Sequence, residues 1–374
     1  MAADSRAYSR FRHRQIRSSL QHSVALRTLI TDPNPTKKPG LVATATGAGR
    51  GTNSSMSALI EVESLSKRFG AIVAVDDVSF SVDRGVVMGF LGPNGAGKST
   101  TMRVITGYLP PTTGTARVLG HDIQKEPVEV KRRIGFLPEG APLYGDMTVL
   151  SFLEFIGEIR QLSGTKKRQR IQYSIERMGL QQVLYQRVET LSKGFKRRVG
   201  FAQAILHDPD VLILDEPTDG LDPNQKHHVR ELIRELGKDK AIIISTHILE
   251  EVDAVCDRAM IIDRGRVVSN GTPMELHARS KFHNSVVLVV KADVAQKAAK
   301  LLRGIAHVAN VESSAPQNGN VSLAVVPRDG RFIADEVGNA IRQNGIDVDE
   351  MHTESGKLDE VFRLLTVDRE QVLR

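Results

Sequence analysis

Cysteine is nearly absent: the 374 residues contain one, Cys256. That excludes an intrachain disulfide and a cysteine-rich zinc site, and it leaves a small buried apolar side chain as the ordinary reading. A reducing setting fits. Long apolar runs are also missing. A membrane span needs about 20 apolar residues, and the longest near-pure runs, such as Ser285–Val290 and Ala241–Ile244, are strand-sized. Work at a membrane would therefore require docking onto a partner. No continuous hydrophobic stretch follows the first arginines, so no secretory signal is visible, and no internal repeat is visible. Acidic residues are scarce at the start. Residues 1–55 hold nine Lys and Arg against only Asp4 and Asp32, which accounts for the entire formal charge of +7. Basic and acidic side chains balance over the remainder, so the basic pI gives the folded body no signature of a nucleic-acid partner.

Residues 1–55 are rich in Ser, Thr and Gly and lack a sustained apolar period. They read as a basic disordered extension. A start of translation at Met56 is a second reading, because a strand-like pattern (Ala58–Leu65) begins just after it. An organelle transit peptide is a third, and rests on composition alone. The length allows two to three modest domains.

From 56 to 275 short apolar runs alternate with helical stretches. Val86–Leu91, Gly135–Pro138, Val211–Leu214 and Ala241–Ser245 suit buried strands of a mostly parallel sheet. Pro223–Leu236 places Val229, Leu232, Ile233 and Leu236 at helical spacing. Over about 141–200 helical periodicity takes over, which predicts a helical insert in an α/β core. In that insert Tyr144, Met147 and Phe152 either receive a partner helix or pack the insert itself. Beyond 276 the predicted order is strand (Ser285–Val290), helix (Ala292–Leu302), strand (His307–Val311), strand (Val321–Pro327), helix (Ile333–Gln343) and strand (Asp347–His352). This is the order of a small α+β, ferredoxin-like domain, with Lys357–Leu365 as a closing helix. The fold class expected is α/β, a P-loop NTPase cassette with a helical insert and that C-terminal domain.

Gly92-Pro-Asn-Gly-Ala-Gly-Lys-Ser99 matches the phosphate-loop pattern G-x-x-x-x-G-K-[ST], between a buried strand and the helix Lys98–Ile105. Gly95 and Gly97 let the backbone fold back so that its N–H groups face phosphates. The start of the helix adds partial positive charge. Lys98 reaches the terminal phosphates, and Ser99 offers its hydroxyl to Mg²⁺. Gly92, Pro93, Asn94, Gly95, Ala96, Gly97, Lys98, Ser99 and Thr100 are the nucleotide-binding candidates. Further on, Val211-Leu-Ile-Leu ends in Asp215 and Glu216. Parallel strands put ligand sites at their carboxyl ends. There Asp215 is expected to orient Mg²⁺ and Glu216 to take the proton of an attacking water.

Three more segments complete an ordered set: Leu191-Ser-Lys-Gly-Phe-Lys-Arg-Arg198, Asp219-Gly-Leu-Asp222 and Ser245-Thr-His247. With the phosphate loop, this order resembles the nucleotide-binding domain of ATP-binding cassette (ABC) transporters over Leu59 to Asn270. The resemblance implies that Phe69 stacks on adenine and that Ser192 and Gly194 reach the γ-phosphate of a nucleotide on a second subunit. It implies that Asp222 crosses between subunits and that His247 contacts the γ-phosphate, joining Lys98 and Glu216 as catalytic. Three positions depart from the family pattern: Lys193 and Phe195 stand in the signature segment, and Glu139 stands where a glutamine normally contacts Mg²⁺. These departures and the ending Leu358-Asp-Glu-Val-Phe-Arg-Leu-Leu-Thr366 look similar to ATPase subunits of type-two exporters.

The resemblance thus implies an ATP- and Mg²⁺-dependent ATPase that pairs with a second copy and drives a separate type-two permease. It would sit peripherally on the cytoplasmic face of the inner membrane. A soluble, non-transport cassette ATPase with a regulatory C-terminal domain is the alternative. Translation-type members with two cassettes and repair-type members with long coiled coils do not fit this chain. The Asn-Lys-x-Asp motif of small G proteins is missing as well.

Overall fold

The structure, a computed structural model, describes residues 58–366; the readings of 1–55 and of Met56 lie outside them. Along the chain run β1 (Ile60–Phe69), β2 (Ile72–Val82), β3 (Val87–Leu91), α1 (Lys98–Ile105), β4 (Thr113–Val118), β5 (His121–Asp122), α2 (Pro127–Arg133) and β6 (Ile134–Leu137). Next come α3 (Val149–Ile159), α4 (Gly164–Arg177), α5 (Lys193–Ile205), β7 (Val211–Asp215), α6 (Pro223–Gly237), β8 (Ala241–Thr246), α7 (Leu249–Val255), β9 (Arg258–Asp263), β10 (Arg266–Gly271) and α8 (Pro273–His277).

Every residue of β3, β7 and β8 is buried, as expected of strands covered on both faces. They lie in a six-stranded sheet of order β10-β9-β3-β8-β7-β6, in which β9, β3, β8, β7 and β6 run parallel and β10 is antiparallel at the edge. Register decides the rest. Leu91 pairs with Thr246 and Asp215 with Ser245. The chain therefore leaves three neighbouring strands at Gly92, Glu216 and His247, side by side at their carboxyl ends.

A second sheet, order β2-β1-β4-β5, is antiparallel throughout. The sequence reading placed a strand near Ala58–Leu65 but did not separate this sheet. Its strands bury alternate residues and are interrupted by register shifts, so they give no continuous apolar run. Ile60 and Val62 of β1 pack with Phe90, Ile213, Ile243, Met260 and Met102 between the two sheets. A second core, on the helix side, holds Leu91, Leu214, Ile244, Phe152, Phe201, Val229 and Leu232.

Helices α3, α4 and α5 follow one another with no strand between them. Thr148 caps α3, its Oγ1 accepting from Ser151 N at 3.2 Å. Phe152 is fully buried and Met147 packs against the same core, so Phe152 serves the insert itself. Tyr144 stays exposed, its ring edge-on to Phe155 at 5.5 Å.

The C-terminal segment contains β11 (Val286–Lys291), α9 (Ala292–Arg303), β12 (Val308–Ser313), β13 (Asn320–Pro327), α10 (Ala334–Gln343), β14 (Glu350–Thr353) and α11 (Leu358–Thr366). The four strands form an antiparallel sheet of order β12-β13-β11-β14. Ala298 and Leu302 of α9 and Val337 and Ile341 of α10 share its core with Leu288 and Leu323. The last strand falls later than the expected Asp347–His352, because the ladder to β11 begins only at Glu350. The closing helix α11 leaves this core: Leu358 and Val361 join Leu276 in the helix-side core described above. Buried Glu360 accepts a hydrogen bond from Ser280 Oγ and anchors the junction.

Phe201, on α5, is 1 % exposed. Phe201→Ala is expected to cost about 3–5 kcal/mol, read as a lowered urea midpoint with an unchanged slope. A loss below about 1 kcal/mol would mean that this core is not packed as described.

Candidate functional site

The loop between β3 and α1 bends where glycine is obligatory. Gly97 has φ +106, and a Cβ there would lie 2.5 Å from the Ala74 carbonyl oxygen. At Gly92 a Cβ would lie 2.3 Å from the Ile262 carbonyl oxygen. Helix α1 has no side-chain N-cap, so its first N–H groups stay free for an anion. Asn94, Gly95, Ala96, Gly97, Lys98, Ser99 and Thr100 line a cavity of about 240 Å³, together with Glu139 and Glu216.

Lys98 is only 6 % exposed, and its Nζ donates to the carbonyls of Gly92 (2.6 Å) and Pro93 (3.1 Å). Burial lowers its pKa, while the carboxylates of Glu216, Asp215 and Glu139 pull the other way. One ammonium thus faces three carboxylates.

Asp215 ends β7 and is buried. Its Oδ1 accepts from Ser245 Oγ, while its Oδ2 is buried with no hydrogen-bond partner. A carboxylate oxygen stranded in this way is costly unless a cation meets it. With the Ser99 hydroxyl and the Glu139 carboxylate on the cavity wall, the donors are hard oxygens. That chemistry fits Mg²⁺ and its water shell.

Glu216 takes a left-handed backbone, φ +52, rare for a side chain of its size. Its N–H is held by the Ser245 carbonyl (3.2 Å) and hydroxyl (3.0 Å). Both carboxylate oxygens lie 3.0 Å from Nδ1 of exposed His247. Burial raises the Glu216 pKa above its ordinary value, and the His247 contact and Lys98 oppose the shift. The result is a carboxylate with raised basicity, hydrogen-bonded to an imidazole and set beside the glycine-rich loop.

Other predicted residues stand apart from this cavity. Phe69 is 46 % exposed at the end of β1, with Lys67 Nζ 5.1 Å from its ring centre. Ser192 is exposed and caps α5, its Oγ accepting from Phe195 N at 3.3 Å. Gly194 is buried against the next loop, where a Cβ would sit 3.0 Å from the Gly220 carbonyl oxygen. Asp222 caps α6, its Oδ1 accepting from Gln225 N at 2.9 Å. Lys193 bonds Asp219 at 2.8 Å and holds that carboxyl below its usual range.

Sequence reasoning missed two buried charges beside this site. Glu251, on α7, accepts from the Thr218 hydroxyl and from Thr246 Oγ1 (2.7 Å), with Arg230 3.8 Å away. It bolts the segment after Glu216 to the strand end before His247. Arg197, on α5, donates to the backbone carbonyls of Pro138, Asp215 and Glu216. Its only sequence signal is spacing: with Gly194 and Phe201 it falls on the buried stripe of α5.

Comparison with known proteins gives four findings. The profile described as "ABC transporter" matches residues 75–219. Among similar proteins, the daunorubicin resistance ATP-binding protein DrrA3 of Streptomyces coeruleorubidus is 34 % identical, over 84 % of this chain and 97 % of its own length. The probable multidrug ABC transporter ATP-binding protein YbhF of Escherichia coli (strain K12) is 37 % identical over 59 % of this chain, a match that spans only 38 % of YbhF. A solved ATP-binding subunit of an ABC transporter superposes with a TM-score of 0.56 at 34 % identity, over 59 % of this chain and 92 % of that one.

The raised pKa of Glu216 gives a stability prediction. The folded chain disfavours the charged carboxylate, so the cost is full above the raised pKa and vanishes as pH falls below the ordinary 4.5. Glu216→Gln is therefore expected to melt higher than the parent at neutral pH, with the gap closing on acidification. A lower or unchanged melting temperature at neutral pH would contradict the buried-charge reading.

Proposed function

The chain belongs to the ABC transporter family, and from that membership we propose that it is the subunit that binds and hydrolyses ATP to drive a separate transmembrane permease, in the direction of export. The observation that carries the reading is the meeting of Lys98, Asp215 and Glu216 at neighbouring strand ends around the phosphate loop. The names of the relatives, which speak of drug resistance and multidrug transport, favour export.

In this reading the loop N–H groups and the α1 N-terminus hold the β- and γ-phosphates, and Lys98 turns from carbonyls to phosphate oxygens. Phe69, exposed at the end of its hairpin, is the platform for adenine. Ser99, Asp215 and Glu139 would hold Mg²⁺, which when bound neutralises phosphate charge. Glu216 takes the proton of the attacking water. His247 steadies Glu216 through Nδ1 and leaves Nε2 for the γ-phosphate.

Ser192, Gly194 and Asp222 do not line the cavity of their own chain. A second copy meeting the first head to tail would bring them to it, so the working unit is a homodimer closed by ATP. For the permease, a groove of about 800 Å³ offers an apolar floor that includes Ile156 and Ile159 and a rim with Lys131, Arg132 and Arg160. Phe136 of β6, the strand that leads to Glu139, lines it too. No helix among the described residues is long and apolar enough to cross a membrane. The work would be done at the cytoplasmic face of the inner membrane, against a permease of the type-two class. The boundaries proposed are a cassette over 56–275 and, over 276–374, an accessory domain of ferredoxin-like topology. A soluble cassette ATPase regulated by that domain is the second reading, supported by the packing of α11 on the cassette core.

Glu216→Gln is expected to keep ATP affinity, to slow hydrolysis by roughly a hundredfold or more, and to elute as a dimer on gel filtration with ATP. Parental turnover would remove Glu216 from the role of base. A monomer with ATP at high protein concentration would count against the shared site.

A further inference from the structure

Two cations are buried among the described residues, Lys98 and Arg197. Lys98 has its phosphates to explain it. Arg197 is 4 % exposed and makes no ion pair among the described residues. Its guanidinium instead grips main chain. Nε donates to the Glu216 carbonyl and Nη1 to the Pro138 carbonyl, each at 2.9 Å, while Nη2 serves the carbonyls of Asp215 and Glu216. Burying a guanidinium against neutral carbonyls is unfavourable unless the position demands it. Burial pushes the guanidinium pKa down, and the nearby carboxylates of Asp219, Asp215, Glu216 and Glu139 oppose that shift without cancelling it.

The demand is visible at Glu216. Its left-handed backbone is a strained conformation that persists only when its surroundings over-determine it. The Ser245 oxygens hold its N–H, and Arg197 holds its C=O. The peptide groups on both sides of the reacting side chain are therefore fixed, which fixes where the carboxylate can lie. The same guanidinium reaches Pro138, immediately before Glu139. It sits five residues into the segment that Ser192 caps.

We propose that Arg197 is a positioning residue for hydrolysis: by gripping the carbonyls of Glu216, Asp215 and Pro138 it locks the Glu216 carboxylate at its working angle. Helix α5 and the loop carrying Glu139 are thereby tied to that carboxylate as one body. Lysine cannot replace it, because one ammonium cannot span carbonyls from the ends of two strands as a planar fork does. The proposal rests on the reading that Glu216 is the base for ATP hydrolysis.

The test uses the full chain with Arg197→Lys and Arg197→Met, each alone and combined with Glu216→Gln. Affinity for a non-hydrolysable ATP analogue with Mg²⁺, kcat for ATP and thermal melting are measured. Both single variants are expected to bind the analogue within about threefold of the parent while kcat falls about tenfold or more. On the Glu216→Gln background, Arg197→Lys should change the residual rate by less than about twofold, since the group it positions is already gone. Three results would overturn the proposal: a kcat within about twofold of the parent, a loss of affinity that matches the loss of kcat, or the same fold-loss on both backgrounds. If Arg197→Met fails to fold, Arg197→Lys decides, and failure of both would make Arg197 a structural residue only. A parent protein without Mg²⁺-dependent ATP hydrolysis would instead defeat the ATPase reading itself.

Discussion

The register of three parallel strands is the constraint on which this site depends. Leu91 sits opposite Thr246, and Asp215 opposite Ser245. A slip of one residue would turn every buried side chain of a strand to the opposite face, and these strands are buried on both faces. The cores on either side therefore hold the register, and the register holds the chemistry. The phosphate loop, the acidic pair and the histidine come from segments far apart in the chain. They meet because their strands stop at one level.

What meets there is unbalanced by itself. One buried ammonium faces three carboxylates, and a carboxylate oxygen of Asp215 has no donor. Polyphosphate oxygens would draw Lys98 away from its carbonyls, and a divalent cation would answer Asp215. The framework around this imbalance is rigid. Glu251 joins Thr218 to Thr246, and Ser245 braces both Asp215 and Glu216. The surface that would face a second copy is ordered by simpler means: Ser192 and Asp222 cap their helices, and Lys193 pairs with Asp219. Each cap oxygen satisfies one N–H group at the start of its helix.

Much of the cassette was legible because its signals are local. The strands β3, β7 and β8 are unbroken apolar runs, and the phosphate loop announces itself by glycines that no other residue replaces at φ +106. The order of elements after β11 was equally readable from periodicity, though the start of β14 was not, since pairing rather than pattern decides it. The antiparallel sheet escaped because half-buried strands with bulges look irregular in one dimension. Glu251 and Arg197 escaped for a different reason. A charged residue on a helix is ordinarily solvated, and only its partners, main-chain carbonyls and threonine hydroxyls brought by distant segments, mark it as buried. Asp222 caps α6 just before Pro223, a local role that sits beside the one the family resemblance implies.

The central claim is that a triphosphate is held between the loop Gly92–Ser99 and the acids at the end of β7 through a divalent cation. Calorimetric titration of the protein with ATP, with Mg²⁺ and then with the metal chelated, tests it most directly when repeated on Asp215→Asn. Affinity should tighten with Mg²⁺ in the parent, and that dependence should disappear in the variant. Equal affinity with and without Mg²⁺ in the parent, or no binding of ATP at all, would contradict it.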